Sequence, residues 1–288
     1  MLNININSIR YKKDFLINVI LRNFFINFRY IKCSNNKNKK YKIIAIIRLR
    51  NEEDILSDTL DHLASIADAI VVFDDASIDN SVNIAKNHDS VIEVIVNKRW
   101  RRNQRSWEET ANRRILLTRA KLYNPDWIFY SDADERFEGN IKGYLLNECP
   151  DSVSGIKISL FDAYITENDK KPYRPGDALY GFRRYFGIEQ RDILMVWRNQ
   201  PSVNYIMHDS REPQGIRGEI ITKFYCQHYG KSLSIKQWED TCSYYSDNFP
   251  AYSVKWEARK GKAIHNKSDF DTDLLEWDDV KTKGVLIN

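Results

Sequence analysis

Between residues 42 and 135 the sequence alternates short apolar runs with segments of helical periodicity, and few folds accommodate that order. Ile43–Ile47, Ala69–Phe73, Val91–Val96 and Trp127–Tyr130 hold almost nothing polar. A strand covered on both faces has no reason to alternate polar with apolar residues, so each run reads as a buried strand. Between the first two, Ile55, Leu56, Leu60, Leu63 and Ile66 recur at helical spacing. Asn51 suits the cap of that helix, and Glu52 and Glu53 its positive first turn. A short helix over about 79–87 and a longer one over 107–121 fill the remaining gaps. Strand and helix alternating at this spacing predict an α/β fold with a doubly wound, largely parallel sheet.

In such sheets ligands bind outside the carboxyl ends of the strands. Three of the four runs end in polar clusters, namely Asn51-Glu52, Asp74-Asp75 and Asp132-Ala133-Asp134. All three are expected to converge on one crevice. An extended chain would set Asp132 and Asp134 on the same side, about 7 Å apart. Like charges that close raise the cost of ionising one another. A divalent cation carrying a phosphorylated substrate would relieve the repulsion, since Mg2+ favours one or two carboxylates plus phosphate oxygens. The plainer reading is a polar strand end leading into a loop. Arg101, Arg105 and Arg113 offer cations for phosphates, and the sequence does not choose among them. No Gly-x-Gly-x-x-Gly and no Walker lysine motif occurs, which argues against a dehydrogenase or a P-loop enzyme.

From Gly155 onward the pattern changes to strands, over residues 156–161, 192–196, 203–207 and 220–225. This half is expected to be antiparallel and mixed, and to continue the same sheet. A length of 288 residues suits one large domain, or a domain with a small annex. The division expected is an arm and linker over 1–41 and a domain over 42–288, with a nucleotide half to 140 and an acceptor half from 141. Charge supports the split. Residues 1–42 hold ten Lys or Arg against one acid, Asp14, leaving 34 basic and 39 acidic residues in the remainder. Within the arm, residues 15–32 have the spacing of an amphipathic helix, with Phe15, Val19, Phe24, Phe28 and Ile31 near one face. Asn18, Arg22, Asn23, Asn27 and Arg29 interrupt it too often for a transmembrane span, and no small-residue cleavage site follows. Two readings stand for it: a helix lying on an anionic membrane surface, or one packed against protein. The four cysteines form no Cys-x-x-Cys pair and read as reduced, cytosolic thiols. The expected location is cytoplasmic, with peripheral contact at the inner face of a membrane as the arm's functional reading, and no nucleic-acid partner is expected.

Three stretches taken together resemble the family 2 glycosyltransferases of the GT-A fold: Arg50-Asn51-Glu52-Glu53, Val72-Phe73-Asp74-Asp75-Ala76-Ser77-Ile78-Asp79, and Asp126 through Glu135. The resemblance covers roughly residues 42–140. It implies a Rossmann-like mixed sheet flanked by helices, and a metal-dependent transfer of sugar from a nucleotide-diphospho-sugar to a glycan, lipid-linked or other hydroxyl acceptor, with inversion. Carried over by residue, it implies that Asp75 contacts the nucleotide base while Asp74 supports that turn. From their places in the sequence, Asn51, Glu52 and Arg113 are the further candidates for the donor site. Asp132 would hold the ribose or a metal-bound water, and Asp134 would ligate Mn2+ or Mg2+. Downstream, His208-Asp209 resembles the His-Glu pair usual in similar enzymes, with Asp209 the candidate general base. Asp209 has a second reading as a turn residue beside Ser210. His228, at a strand end and read as opening a helix, is either a third metal ligand or a structural histidine. The tail's Trp238, Tyr244, Tyr245, Phe249, Tyr252 and Trp256 suit helices packed on the sheet, and Arg259 to His265 forms a basic segment with the makings of a lid. The competing functions are a nucleotidyltransferase of related fold and a non-catalytic protein bound to an anionic surface. The first would want a Gly-rich basic loop where Arg48-Leu49-Arg50-Asn51-Glu52 stands, and the second leaves Asp75, Asp132 and Asp134 without a purpose.

Overall fold

The computed structural model describes residues 28–33, 39–100, 105–207 and 210–287. Strands β1 (Phe28–Lys32), β2 (Ile43–Leu49), β3 (Ala69–Asp74), β4 (Val91–Asn97), β5 (Trp127–Ser131), β6 (Glu135–Glu138), β7 (Val153–Tyr164), β8 (Tyr185–Arg198) and β9 (Glu219–His228) form one mixed sheet in the order β1-β4-β3-β2-β5-β8-β7-β9-β6. Strands β4, β3, β2 and β5 are mutually parallel, and from β5–β8 onward antiparallel pairs enter. Short strands β10 (Leu275–Glu276) and β11 (Val285–Leu286) add to β8. The second half therefore continues the first half's sheet.

The unbroken apolar runs are explained by what covers them. Ile43, Ala45, Ile47, Ile70 and Val72 face one core with helix α1 (Leu56–Ile66). Their neighbours Ile44, Ile46, Val71 and Phe73 face a second core with Leu116, Leu117 and Ala120 of the long helix (Arg105–Lys121). Helix α2 (Ser81–Asn87) lies between β3 and β4, which makes the long helix α3. Helix α4 (Ile141–Asn147) follows β6. Helices α5 (Ile235–Asn248), α6 (Ser253–Glu257) and α7 (Trp277–Lys283) come after β9.

Several local expectations are corrected. The helix read over 15–32 does not reach its expected end: Phe28–Lys32 is a strand antiparallel to β4, with Phe28 buried edge-to-face on Phe73 at 5.9 Å. Residues 15–27 lie outside the described residues. Asn51 does not cap α1, which starts at Leu56 behind Ile55 with no side-chain cap. Instead Asn51 takes the left-handed conformation (φ 54°), and its Oδ1 accepts from the Ile78 amide at 2.8 Å. Val203–Met207 is no strand, because its pairing is reduced to a single bridge between Asn204 and Gln214. His228 closes β9 but opens no helix; α5 begins at Ile235, where the Ser234 hydroxyl accepts from the Gln237 amide at 3.0 Å. The basic segment after Arg259 is tied down, with Arg259 Nη2 2.9 Å from Asp269 and the Gly261 amide donating to Glu239 at 2.9 Å.

Candidate active site

The three polar clusters meet because β3, β2 and β5 are neighbours in register, with Leu49 opposite Asp74 and Ile47 opposite Ser131. The first two are latched together by reciprocal bonds. The Asn51 amide donates to Ser77 Oγ (2.9 Å), the Glu52 amide to Ser81 Oγ (2.9 Å), and the Glu53 amide to Asp79 (3.1 Å), while Asn80 returns a bond to Glu53 (2.9 Å). Asn51 thus shapes the loop, and its side-chain oxygen is already engaged.

Asp75 is fully buried, and both of its oxygens are taken. Asn97 Nδ2 donates to Oδ1 at 2.9 Å and Asn112 Nδ2 at 3.1 Å; Arg48 Nη1 reaches Oδ2 at 3.3 Å, and Arg105 pairs with the same oxygen. Burial alone would raise this carboxyl, but Arg105 and Arg48 outweigh it and hold it below the usual range. Asp74 lacks such partners, so burial lifts it, with the Ser77 hydroxyl and then the Ser77 amide (3.1 Å) opposing. The guanidinium groups of Arg50 (4.4 Å) and Arg105 (5.0 Å) both lie over the ring of Trp100. Arg101 lies outside the described residues. Arg113 is buried and occupied, its Nε donating to the Tyr130 hydroxyl at 3.1 Å.

At the end of β5 the chain turns instead of staying extended. Glu135 makes the turn by accepting from the Asp132 amide at 2.9 Å, and this sends the two aspartates to different partners. Asp132 accepts from the Tyr130 hydroxyl (2.7 Å) and lies 3.5 Å from Arg211, which also pairs with Glu135. Burial works against the Asp132 carboxylate, yet Arg211, Arg113 and Arg48 together keep it low. Burial pushes Glu52 well above its ordinary value, and the charges of Asp134 and then Asp132 add to the effect.

Asp134 faces His228, with Oδ2 3.5 Å from Nε2. The pairing is a consequence of register, since β6 and β9 set Glu135 opposite His228. The other ring nitrogen, Nδ1, is 2.6 Å from Asp162 Oδ1 on β7. Burial disfavours a charged imidazole here, but Asp134 and Asp162 outweigh it and lift His228 to about 9. A carboxylate oxygen and an imidazole nitrogen bound to one cation at right angles stand about 3 Å apart, so the pair is close to a two-ligand seat. Gly230 keeps it open, because a Cβ there would fall 2.7 Å from Asp134 Oδ2 and 2.8 Å from His228 Nε2. Among the described residues no group of three or more His, Cys, Asp or Glu is set to hold a metal ion alone. Mg2+ ordinarily takes one or two carboxylates completed by phosphate oxygens, so Asp134 supplies the usual ligand of a cation that arrives with a diphosphate, and His228 Nε2 stands beside it as a nitrogen ligand. Asp132 is committed to Tyr130 and Arg211. His208 and Asp209 lie outside the described residues; on the near side of that gap Ser210 and Arg211 meet Arg113 (3.5 Å) and Asp132.

Sequence reasoning did not single out Arg48, Tyr130, Arg211 or Asp162. Asp162 carried a readable signal, being an acid inside the apolar stretch Leu160-Phe161-Asp162-Ala163. Arg211 carried none, because its carboxylate partners are 76 and 79 residues away in the sequence.

The sequence model of glycosyl transferase family 2 matches residues 44–199, more than half of the chain. The chain belongs to glycosyl transferase family 2. Its mixed sheet with helices on both faces matches the mixed sheet flanked by helices that the resemblance implied. Uncharacterised proteins of Mycobacterium bovis and Mycobacterium tuberculosis are each 35% identical to this family 2 chain over 118 residues, covering 40% of it and 29% of their own length. The match therefore spans under a third of those relatives. Among solved structures, the mannosyltransferase PcManGT from Pyrobaculum calidifontis, determined with GDP-Man and Mn2+, aligns at 13% identity with a TM-score of 0.40, over 88% of this chain and 78% of its own. HddC from Yersinia pseudotuberculosis aligns at 11% identity and a TM-score of 0.34, over 71% and 99%.

Proposed function

We propose that this family 2 chain is a glycosyltransferase moving a sugar from a nucleotide-diphospho-sugar to a hydroxyl of a glycan or lipid-linked acceptor, with inversion and with Mn2+ or Mg2+ as cofactor. The observation that carries the reading is the facing pair of Asp134 and His228 Nε2 at 3.5 Å, kept open by Gly230. When bound, the cation would neutralise charge developing on the departing diphosphate. The donor's nucleoside lies along the Asp74–Asp75 turn and Asp132. Contact between a base and Asp75 exchanges one of its four protein donors; the two arginines have other carboxylates at hand, Arg105 with Glu108 at 3.0 Å and Glu109 at 3.8 Å, and Arg48 with Glu109 at 3.2 Å. Tyr130 and Arg211 hold Asp132 toward the ribose, and Asp209 takes the proton of the attacking hydroxyl. Glu52 lines the same acid cluster from the opposite loop. The basic arm ahead of β1 is part of the proposal as a contact with an anionic membrane face.

Thermal-shift measurement of UDP, GDP and their sugars, with and without Mn2+, tests the donor site, since binding to the native state raises apparent stability. One diphosphate family is expected to raise the melting temperature only when Mn2+ is present, and Asp134→Ala to abolish the rise. A rise of equal size in Asp134→Ala would remove the metal assignment.

A further inference from the structure

Asp162 has no place in the chemistry described above, yet the fold takes trouble over it. It interrupts an apolar strand at the point where the pairing of β7 with β8 slips, between Phe161 and Ala163. A bulge of this kind re-aims a side chain. On its other side β7 pairs with β9 and sets Asp162 opposite His228, while β9 pairs with β6 and sets His228 opposite Glu135. Three adjacent strands thus align Asp162, His228 and the Asp134 turn in one row. Asp162 Oδ1 meets His228 Nδ1 at 2.6 Å and Arg191 Nη2 at 2.6 Å, and its Oδ2 lies 3.5 Å from Lys231 Nζ. Lys231 is itself held by Asp269, which also takes Arg259 at 2.9 Å. The carboxylate is fixed from several directions, and only the ring nitrogen far from it looks toward Asp134.

We propose that Asp162 is a positioning residue: it accepts the Nδ1–H of His228, fixing the ring's orientation and tautomer so that Nε2 presents its lone pair to the cation seat shared with Asp134. Asp162 does not itself touch the cation. A carboxylate behind a ligating histidine orients the ring and strengthens it as a ligand. The inference rests on the reading of Asp134 and His228 as cation ligands.

The test is Mn2+ affinity of the full chain, read from the electron paramagnetic resonance of free Mn2+ in the presence of UDP or GDP. The proteins compared are the wild type, Asp162→Asn, His228→Ala, Asp134→Asn and the Asp162→Asn/His228→Ala double variant. Asp162→Asn is expected to weaken Mn2+ binding by roughly 10- to 100-fold, and to add nothing once His228 is absent. Wild-type affinity in Asp162→Asn, or an equal loss in the His228→Ala background, overturns the proposal. Undiminished binding in both His228→Ala and Asp134→Asn would instead strike the cation seat itself, and this inference with it. A second measurement needs no Asp162 variant. With Mg2+ and the same diphosphate, 15N shifts of the His228 ring, assigned against His228→Ala, are expected to show Nδ1 protonated and Nε2 bare. The opposite tautomer overturns the proposal.

Discussion

At Gly230 the limiting quantity is room for one methyl group. Its backbone is not in the left-handed region, so the absence of a side chain serves space alone. In Gly230→Ala the added Cβ meets Asp134 Oδ2 and His228 Nε2 at contact distances no unstrained Cβ occupies, and those two groups must part. The expected result is a loss of at least about tenfold in Mn2+-dependent turnover, equivalent to about 1.4 kcal/mol in the transition state, with little change in the urea midpoint. Turnover at the wild-type level would show that the seat tolerates displacement. The same scale separates Asp75 from Asp132. Asp75 is sealed by four donors from β2, β4 and α3, whereas Asp132 is held by a tyrosine and an arginine and keeps partial exposure. Asp-x-Asp and Asp-Asp were visible in the sequence as motifs. Which oxygens were already occupied was not, because Arg105 and Asn112 come 30 and 37 residues later.

Among the elements, α1 and β6 are joined by His62, whose Nε2 accepts from the Phe137 amide at 2.8 Å and whose ring stacks on Phe137. Burial, and then the neighbouring Arg136, press this imidazole down to about 4, with Asp58 opposing. An unfolded histidine titrates near 6.5. Protons therefore bind the unfolded chain preferentially between about pH 6.5 and 4; the contribution is complete above that window and is lost as pH falls through it. Denaturation at pH 7.5 and 4.5 is expected to show the wild type losing about 2–3 kcal/mol more than His62→Gln over this interval. Equal losses in the two proteins would mean that His62 is not held neutral. The apolar runs and the α1 and α3 stripes made these elements legible, since buried strands and amphipathic helices write themselves into periodicity. Phe28–Lys32 misled for the same reason. Phe28 and Ile31 suit a helix face, but the free edge of β4 offers Phe28–Lys32 backbone partners that no local pattern announces.

For the whole molecule, the governing asymmetry is electrostatic, a basic arm on a mildly acidic body. Among the described residues no helix is long and apolar enough to cross a membrane. A surface contact through the arm depends on charge and is screened by salt. Full-length protein is expected to sediment with phosphatidylserine vesicles at low salt and much less with phosphatidylcholine, and Lys12→Glu/Lys13→Glu/Arg22→Glu should reduce the phosphatidylserine fraction severalfold. Sedimentation unaffected by these three changes would reject the membrane role.

The sequence by itself determined the alternation of buried strands and helices over residues 43–131, and the carboxyl-end placement of Asn51, Glu52, Asp74, Asp75, Asp132 and Asp134. Both follow from periodicities and from an ordering rule that act locally along the chain. Only the tertiary structure decided that Asp134 looks at His228 and Asp132 at Arg211, that Asp75 is enclosed, and that Asp162 stands behind the histidine. Those relations are set by the register of β6, β7 and β9 and by the turn that Glu135 makes, and strand register is a property of pairing between distant segments.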